Sequence, residues 1–392
     1  MDFVIRQEHI NMNELLLDQV LIEAAKIFTF TAVSYLLAIW WAPALIDLLV
    51  FLKFWKKKSR TATMTGEALT VTKEFYSKDE SKMQVPRAGG LLIWITAISF
   101  AILLWLLLKI EPTVLLGIEK DNKTFEFLNF ISRRQTFIPI ATLFFASVLG
   151  FIDDALAVMQ NGGNYFAGGL KLNYRIFGML GLSIGVGLWF HLRLNLNQIS
   201  VFGYHLNLSE LTLPFGINGG WLMVLVSIGV LMGLWGSSMI DGFDGMSAGV
   251  FIPIYLCFAA ISFSKGFYDI STFLMVMVGS MAAYLWYNIP PAKFYMGDTG
   301  TMGILATLGV VAIMTDTIYI LPIAGSILLI TELSVIIQTI SKKLFKKKVF
   351  LAAPLHHHLE AIGWTKGQIT MRYWLISIMS SVLALAVALL YK

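Results

Sequence analysis

Charge is scarce in this chain: 14% of its 392 residues are Asp, Glu, Lys or Arg, against roughly 25% in an average soluble domain. With 57% hydrophobic residues, too few polar side chains remain to cover a water-facing surface. That balance excludes an ordinary soluble protein, a disordered chain and a fibrous one. Cysteine is nearly absent as well. Cys257 stands alone inside an apolar run, which excludes an intrachain disulfide and leaves its thiol a packing role. No internal repeat and no long linker divides the sequence. Its start lacks the basic residues, apolar stretch and small-residue cleavage site of a signal peptide. The net charge of +5 is not a nucleic-acid footprint, because the Lys and Arg fall in loops beside apolar runs, where anionic headgroups attract them. The bilayer is the expected partner, and no nucleic acid is.

What is abundant is apolar sequence in long runs. A bilayer core about 30 Å thick needs about 20 apolar residues per helix. That ruler gives ten spans, approximately 27–52, 90–108, 137–152, 176–192, 221–236, 248–263, 273–287, 302–314, 318–340 and 373–391. The expected fold is therefore all-α, a polytopic integral membrane protein. The third, seventh and eighth runs fall short of the ruler and require tilt, thinning or half-helices. The segment 1–26 mixes Leu and Ile with Asp2, Glu8, Glu14, Asp18 and Glu23. It reads as a short amphipathic helix lying at the interface, with 27–392 forming a single membrane domain. Most of the 29 basic residues lie in loops that follow odd-numbered spans, among them Lys56, Lys57, Lys58, Arg87, Arg175, Lys346, Lys347 and Lys348. Basic loops are retained in the cytoplasm, so both termini are expected outside.

Four motifs carry the polar chemistry. Asp153 and Asp154 end the third run in Gly150-Phe-Ile-Asp-Asp154; adjacent carboxylates at an apolar boundary favour a cation nearby, although a solvated helix end would also explain them. Ile240-Asp-Gly-Phe-Asp-Gly245 sets Asp241 and Asp244 on one face if helical, between glycines that allow close backbone approach. An Asp-Gly pair is also turn chemistry. Tyr295-Met-Gly-Asp-Thr-Gly300 adds Asp298, and Pro354-Leu-His-His-His-Leu-Glu360 concentrates His356, His357 and His358. Topology lifts these above their separate explanations, because all four fall on the cytoplasmic side. Aspartates beside a bilayer favour magnesium over zinc and suit phosphoryl transfer to an anionic, membrane-embedded substrate. A transporter would spread its carboxylates along a path, and these cluster at one interface. Asp47 and Glu332 lie within spans, where a hydrogen bond to a neighbouring helix is the expected role.

In these motifs the sequence resembles the polyprenyl-phosphate N-acetylhexosamine-1-phosphate transferases, from about Lys82 to the C-terminus. The likeness rests on Phe151-Ile-Asp-Asp154, Asp241-Gly-Phe-Asp-Gly245, Leu285-Trp-Tyr-Asn288 with Met296-Gly-Asp298, and Thr331-Glu-Leu-Ser334. The end block Ala353-Pro-Leu-His-His-His-Leu-Glu360 with Gly363-Trp364 and Arg372-Tyr-Trp374 marks the muramoyl branch. The resemblance implies a ten-helix enzyme of the bacterial inner membrane with a cytoplasmic active site. It would move phospho-N-acetylmuramoyl-pentapeptide from a UDP-linked precursor to undecaprenyl phosphate, giving lipid I and UMP with Mg2+. It implies Asp298 and Asp154 as metal ligands, Asp153 as the base toward the lipid phosphate and His356 as a further catalytic residue. Lys82, Arg175, Asp241, Asp244, Asn288, Tyr295, His357 and His358 would bind substrate, and a homodimer is the usual assembly. Trp235 and Ser238 stand where the family usually carries asparagines. Val85-Pro-Arg-Ala-Gly-Gly90 replaces the muramoyl Thr-Pro-Thr-Met-Gly-Gly, and its Arg87 resembles the relatives that transfer N-acetylglucosamine phosphate, the alternative activity.

Overall fold

The computed structural model describes residues 2–55, 85–109, 128, 130–132, 134–159, 169–212, 214 and 218–391. The chain is α-helical, as the apolar runs require. In order come α1 (Asp2–Phe51), α2 (Gly90–Lys109), α3 (Phe137–Met159) and α4 (Leu172–Trp189), the last prolonged by a π turn over Phe190–Leu194. A hairpin of β1 (Gln198–Val201) and β2 (Tyr204–Asn207) pairs Gln198 with Asn207 and Val201 with Tyr204. Then follow α5 (Leu222–Gly236), α6 (Met246–Ser264), α7 (Tyr268–Asn288), α8 (Gly297–Met314), α9 (Leu321–Ala324), α10 (Ser326–Phe345), α11 (Leu355–Ala361) and α12 (Lys366–Leu390). Among the described residues, nine helices are long and apolar enough to cross a membrane, or ten if the pair broken by an 81° bend at Gly325 is one span.

The ten apolar runs correspond to these spans, with three differences. The short third, seventh and eighth runs extend to 23, 21 and 18 residues, because their polar ends are paired inside the protein instead of ending the helix. Asp153 and Asp154 therefore sit within α3 and not at its end. The ninth span is not straight, since 318–324 and α10 meet at the bend. α1 runs unbroken from Asp2 to Phe51, so the helix of the first span continues back through residue 26. Of the two acids within spans, Glu332 on α10 accepts a hydrogen bond from Ser237 Oγ at 2.9 Å, whereas Asp47 is exposed on α1.

α8 is the central helix: 94% of its span is buried, against 28% for α5 and α12. Lipid tails are as apolar as leucine, so helices associate through close packing and hydrogen bonds between them. Small residues supply the first. A Cβ on Gly150 of α3 would lie 2.7 Å from the Thr299 nitrogen and closer still to the Asp298 carbonyl, and one on Gly90 of α2 would collide with the Gly300 backbone. Polar groups supply the second: Tyr255 donates to the Ile304 carbonyl at 2.7 Å, Ser377 to Val250 at 2.7 Å and Ser34 to Val276 at 2.8 Å.

Gly150 is thus the contact through which α3 presents Asp153 and Asp154 to the start of α8. Gly150→Ala should lower the thermal midpoint in detergent by the equivalent of about 1–3 kcal/mol, the usual range for overpacking. Gly181→Ala on α4, where an added Cβ meets nothing within 4 Å, is the control, and equal midpoints for both variants would sink this account of the packing.

Candidate active site

The site begins where α8 begins. Gly297 has φ +71°, a conformation open to glycine at little strain, and it turns the chain so that Asp298 occupies the first turn of α8. A Cβ there would also press on the Asp154 carboxylate. One oxygen from each of Asp153, Asp154 and Asp298 lies within 4.8 Å of the others. Three carboxylates so close repel unless cations lie among them. Arg175 on α4 supplies one: its Nη2 is 2.8 Å from Asp153 Oδ1 and its Nη1 3.2 Å from Asp298 Oδ2. Nε donates to the Leu170 carbonyl at 3.1 Å, while Leu170 N donates to Asp153 Oδ1 at 2.7 Å. Thr299 N donates to Asp154 Oδ2 at 3.0 Å. Asp154 Oδ1 has no hydrogen-bond partner although it is buried; its nearest cation is Arg87 Nη1 at 3.8 Å. Hard oxygens from three acids, one of them a buried orphan, fit a divalent cation.

A second acidic element abuts the first. Asp241 is pushed above the usual carboxylate range by burial, opposed by hydrogen bonds from Ser247 Oγ and the Gly297 amide and by the charge of Arg87. Those bonds are 2.9 Å and 3.1 Å, so Asp241 is tied to the residue preceding Asp298. Asp244 Oδ2 accepts from Ala292 N at 3.4 Å. Asn288 is 1% exposed and both ends of its amide are engaged: Gly245 N donates to Oδ1 at 2.8 Å and Nδ2 donates to the Phe294 carbonyl at 2.8 Å. Any influence of Asn288 on a ligand therefore passes through the Gly245 turn that it holds. Trp374 Nε1 secures the same turn from α12, donating to the Gly245 carbonyl at 3.0 Å. Tyr295, three residues before Asp298, donates its amide to the Pro86 carbonyl at 2.8 Å and accepts from Gly89 N at 2.7 Å.

The histidines of α11 divide. His356 and His357 flank Phe243 with ring centroids 5.2 and 5.5 Å away, and His356 Nε2 faces Gly242 so closely that a Cβ would collide. His357 Nδ1 donates to Glu360 Oε2 at 3.2 Å. That bond, with Lys366 at 3.6 Å, holds Glu360 below its usual value despite burial. His358 turns away from the acids, accepting from Leu351 N at 3.3 Å and packing on Phe350. Its place in the helix rotation, a third of a turn from its neighbours, directs it there. Lys82 lies outside the described residues. Arg87, Ser247 and Trp374 belong to this region although their motifs did not single them out as site residues. For Arg87 the signal was present in Val85-Pro-Arg87.

Fold and site together define a polytopic membrane protein with an arginine-braced acidic site that could hold a cation. The family model described as glycosyl transferase family 4 matches residues 136–316. The phospho-N-acetylmuramoyl-pentapeptide-transferase of Methylacidiphilum infernorum (isolate V4) is 32% identical over 337 residues, 81% of this chain and 82% of the relative. Those of Anoxybacillus flavithermus (27% over 361 residues, 92% and 97%) and Geobacillus sp. (29% over 352 residues, 90% and 94%) are similar nearly end to end. The chain belongs to the family of the phospho-N-acetylmuramoyl-pentapeptide-transferases.

Arg175→Met should destabilise the protein by about 3–5 kcal/mol, because removing one partner of a buried pair strands the other. Adding Asp153→Asn should recover much of that loss in a double-mutant cycle of thermal midpoints, and strict additivity would refute the bridge. A pH dependence follows from His356, which burial first and His357 second hold well below the usual value of 6.5. The unfolded chain takes up a proton below pH 6.5 that folded His356 refuses, so stability is complete above that pH and declines below it. His356→Gln should flatten the fall in thermal midpoint between about pH 7 and pH 5; an unchanged slope would count against a neutral buried imidazole.

Proposed function

We propose that the protein transfers phospho-N-acetylmuramoyl-pentapeptide from its UDP-linked precursor to undecaprenyl phosphate, making lipid I and UMP in peptidoglycan biosynthesis. The observation that carries this reading is the convergence of Asp153, Asp154 and Asp298 under Arg175, beside the Asp241–Gly245 turn, in a chain similar over most of its length to transferases of that name. In the reaction an oxygen of undecaprenyl phosphate attacks the sugar-linked phosphorus of the donor. The new P–O bond replaces the bond to the bridging oxygen, which leaves with UMP.

Each residue has a place in that scheme. Asp153 takes any proton remaining on the lipid phosphate, and Arg175 orients its carboxylate. Asp154 and Asp298 hold Mg2+, which supplies neutralisation of charge on the phosphates. Asp241, Asp244 and Tyr295 face the nucleotide, with Asn288 maintaining the turn. His356 and His357 close the pocket around Phe243, and Lys82 meets phosphate. The basic loops support a cytoplasmic site with both termini outside, in the inner membrane of a bacterium.

The test is release of UMP by detergent-purified protein given undecaprenyl phosphate, UDP-N-acetylmuramoyl-pentapeptide and magnesium. UMP should form, should cease on chelation, and should be lost in Asp298→Asn while the protein remains folded. No UMP from the muramoyl donor, with UMP from UDP-N-acetylglucosamine, would overturn the assignment in favour of the sister activity.

A further inference from the structure

Two arginines approach the acidic cluster, and they are held differently. Arg175 is locked: its side chain is 9% exposed and touches Asp153, Asp298 and the Leu170 carbonyl. Arg87 has a fixed backbone and a loose side chain. Its amide donates to the Phe54 carbonyl at 2.8 Å, and the flanking Pro86 carbonyl and Gly89 amide bond the Tyr295 backbone at 2.8 and 2.7 Å. Its guanidinium is 32% exposed and stops 3.8 Å from Asp154 Oδ1, a separation that gives attraction without a hydrogen bond. That oxygen belongs to a fully buried side chain and has no hydrogen-bond partner. Burying a carboxylate with an unmet oxygen is unfavourable unless a cation compensates it. Arg87 screens Asp154 without satisfying it.

Asp241 adjoins the same cluster, accepting from the Gly297 amide at 3.1 Å. Arg87 thus lies at the three-aspartate cluster, on which the Asp241–Gly245 turn abuts through the Gly297 amide. On the transferase reading above, on which this inference rests, a nucleotide donor's two phosphates cross that junction. We propose that Arg87 exchanges partners: it screens Asp154 when no cation is bound, and it clamps the donor's diphosphate once a divalent cation satisfies Asp154 in its place. A guanidinium suits the second role because its fork meets two phosphate oxygens at once. Exchange avoids stacking two cations on one carboxylate, and it couples cation binding to donor binding without any backbone movement.

Two binding measurements on the purified full chain test it, neither requiring turnover. UDP affinity is read by calorimetry with magnesium present, and Mn2+ affinity by electron paramagnetic resonance without nucleotide. R87Q should weaken UDP binding by about tenfold, the scale of one charge-assisted hydrogen bond, yet bind Mn2+ severalfold more tightly, because a competing cation is gone. R87K should restore wild-type Mn2+ affinity and only part of the UDP affinity, since it has charge without the fork. Unchanged UDP affinity in R87Q would overturn the clamp. Weaker Mn2+ binding in R87Q would overturn the exchange and make Arg87 a brace of the cluster. Wild-type protein that binds no UDP at all would overturn the transferase reading itself, and the proposal with it.

Discussion

Everything at the site depends on keeping three carboxylates together at the edge of a helical bundle. Left alone, Asp153, Asp154 and Asp298 would separate or lose charge. The Arg175 fork prevents the first by reaching Asp153 and Asp298 at 2.8 and 3.2 Å, which ties α3 to α8 through α4. Backbone amides contribute the rest, from Leu170 and Thr299. An arginine that binds two of three acids leaves the third only partly compensated, and Asp154 keeps one buried oxygen without a hydrogen-bond partner. The cluster is braced enough to persist and unsatisfied enough to bind a cation.

Such a cluster needs helices closer than ordinary side chains allow, and that is what the small residues of α2, α3 and α8 provide. Gly150 lets α3 run against the Asp298–Thr299 backbone, and Gly90 admits Gly300. The contacts that assemble the bundle's centre are therefore the same ones that place the acids. In an aqueous protein, the apolar residues of α8 would assemble it by the hydrophobic effect. Among lipid tails that drive is missing between helices, so geometry set by glycine and interhelical hydrogen bonds takes its place.

Much of this was legible in the sequence, and the parts that were not share a cause. Run length against bilayer thickness gave the spans, because that depends on single segments. Charge bias put the Asp153, Asp241, Asp298 and histidine motifs at one end of the spans, and the structure brings Asp153, Asp154 and Asp298 together, with Asp241 held to neighbouring Gly297. What required three dimensions were the pairings across the chain. No periodicity shows that Arg175 reaches Asp298, 123 residues away, or that Asn288 spends both ends of its amide on backbone. The continuation of α3 past Asp154 was hidden for a related reason: a polar pair ends an apolar run on paper, but within the fold its partners permit burial. The bend at Gly325 was equally invisible, since both halves are apolar and together long enough to cross.

The histidine block shows how one short motif can do two different electrostatic jobs. His356 is 1% exposed, wedged against Gly242, Phe243 and Tyr373, and neutral because burial forbids its charge. One position on, His357 meets Glu360, whose carboxylate Lys366 also supports. A neutral ring beside the Asp241–Gly245 turn adds no positive charge to compete with a cation at the acids, while the ion pair beyond it fixes α11 to the start of α12. Were His356 charged, it would add positive charge beside a cluster that could hold a cation. Its burial thus keeps the turn compact and leaves charge compensation at the acids to residues such as Arg175 and Arg87.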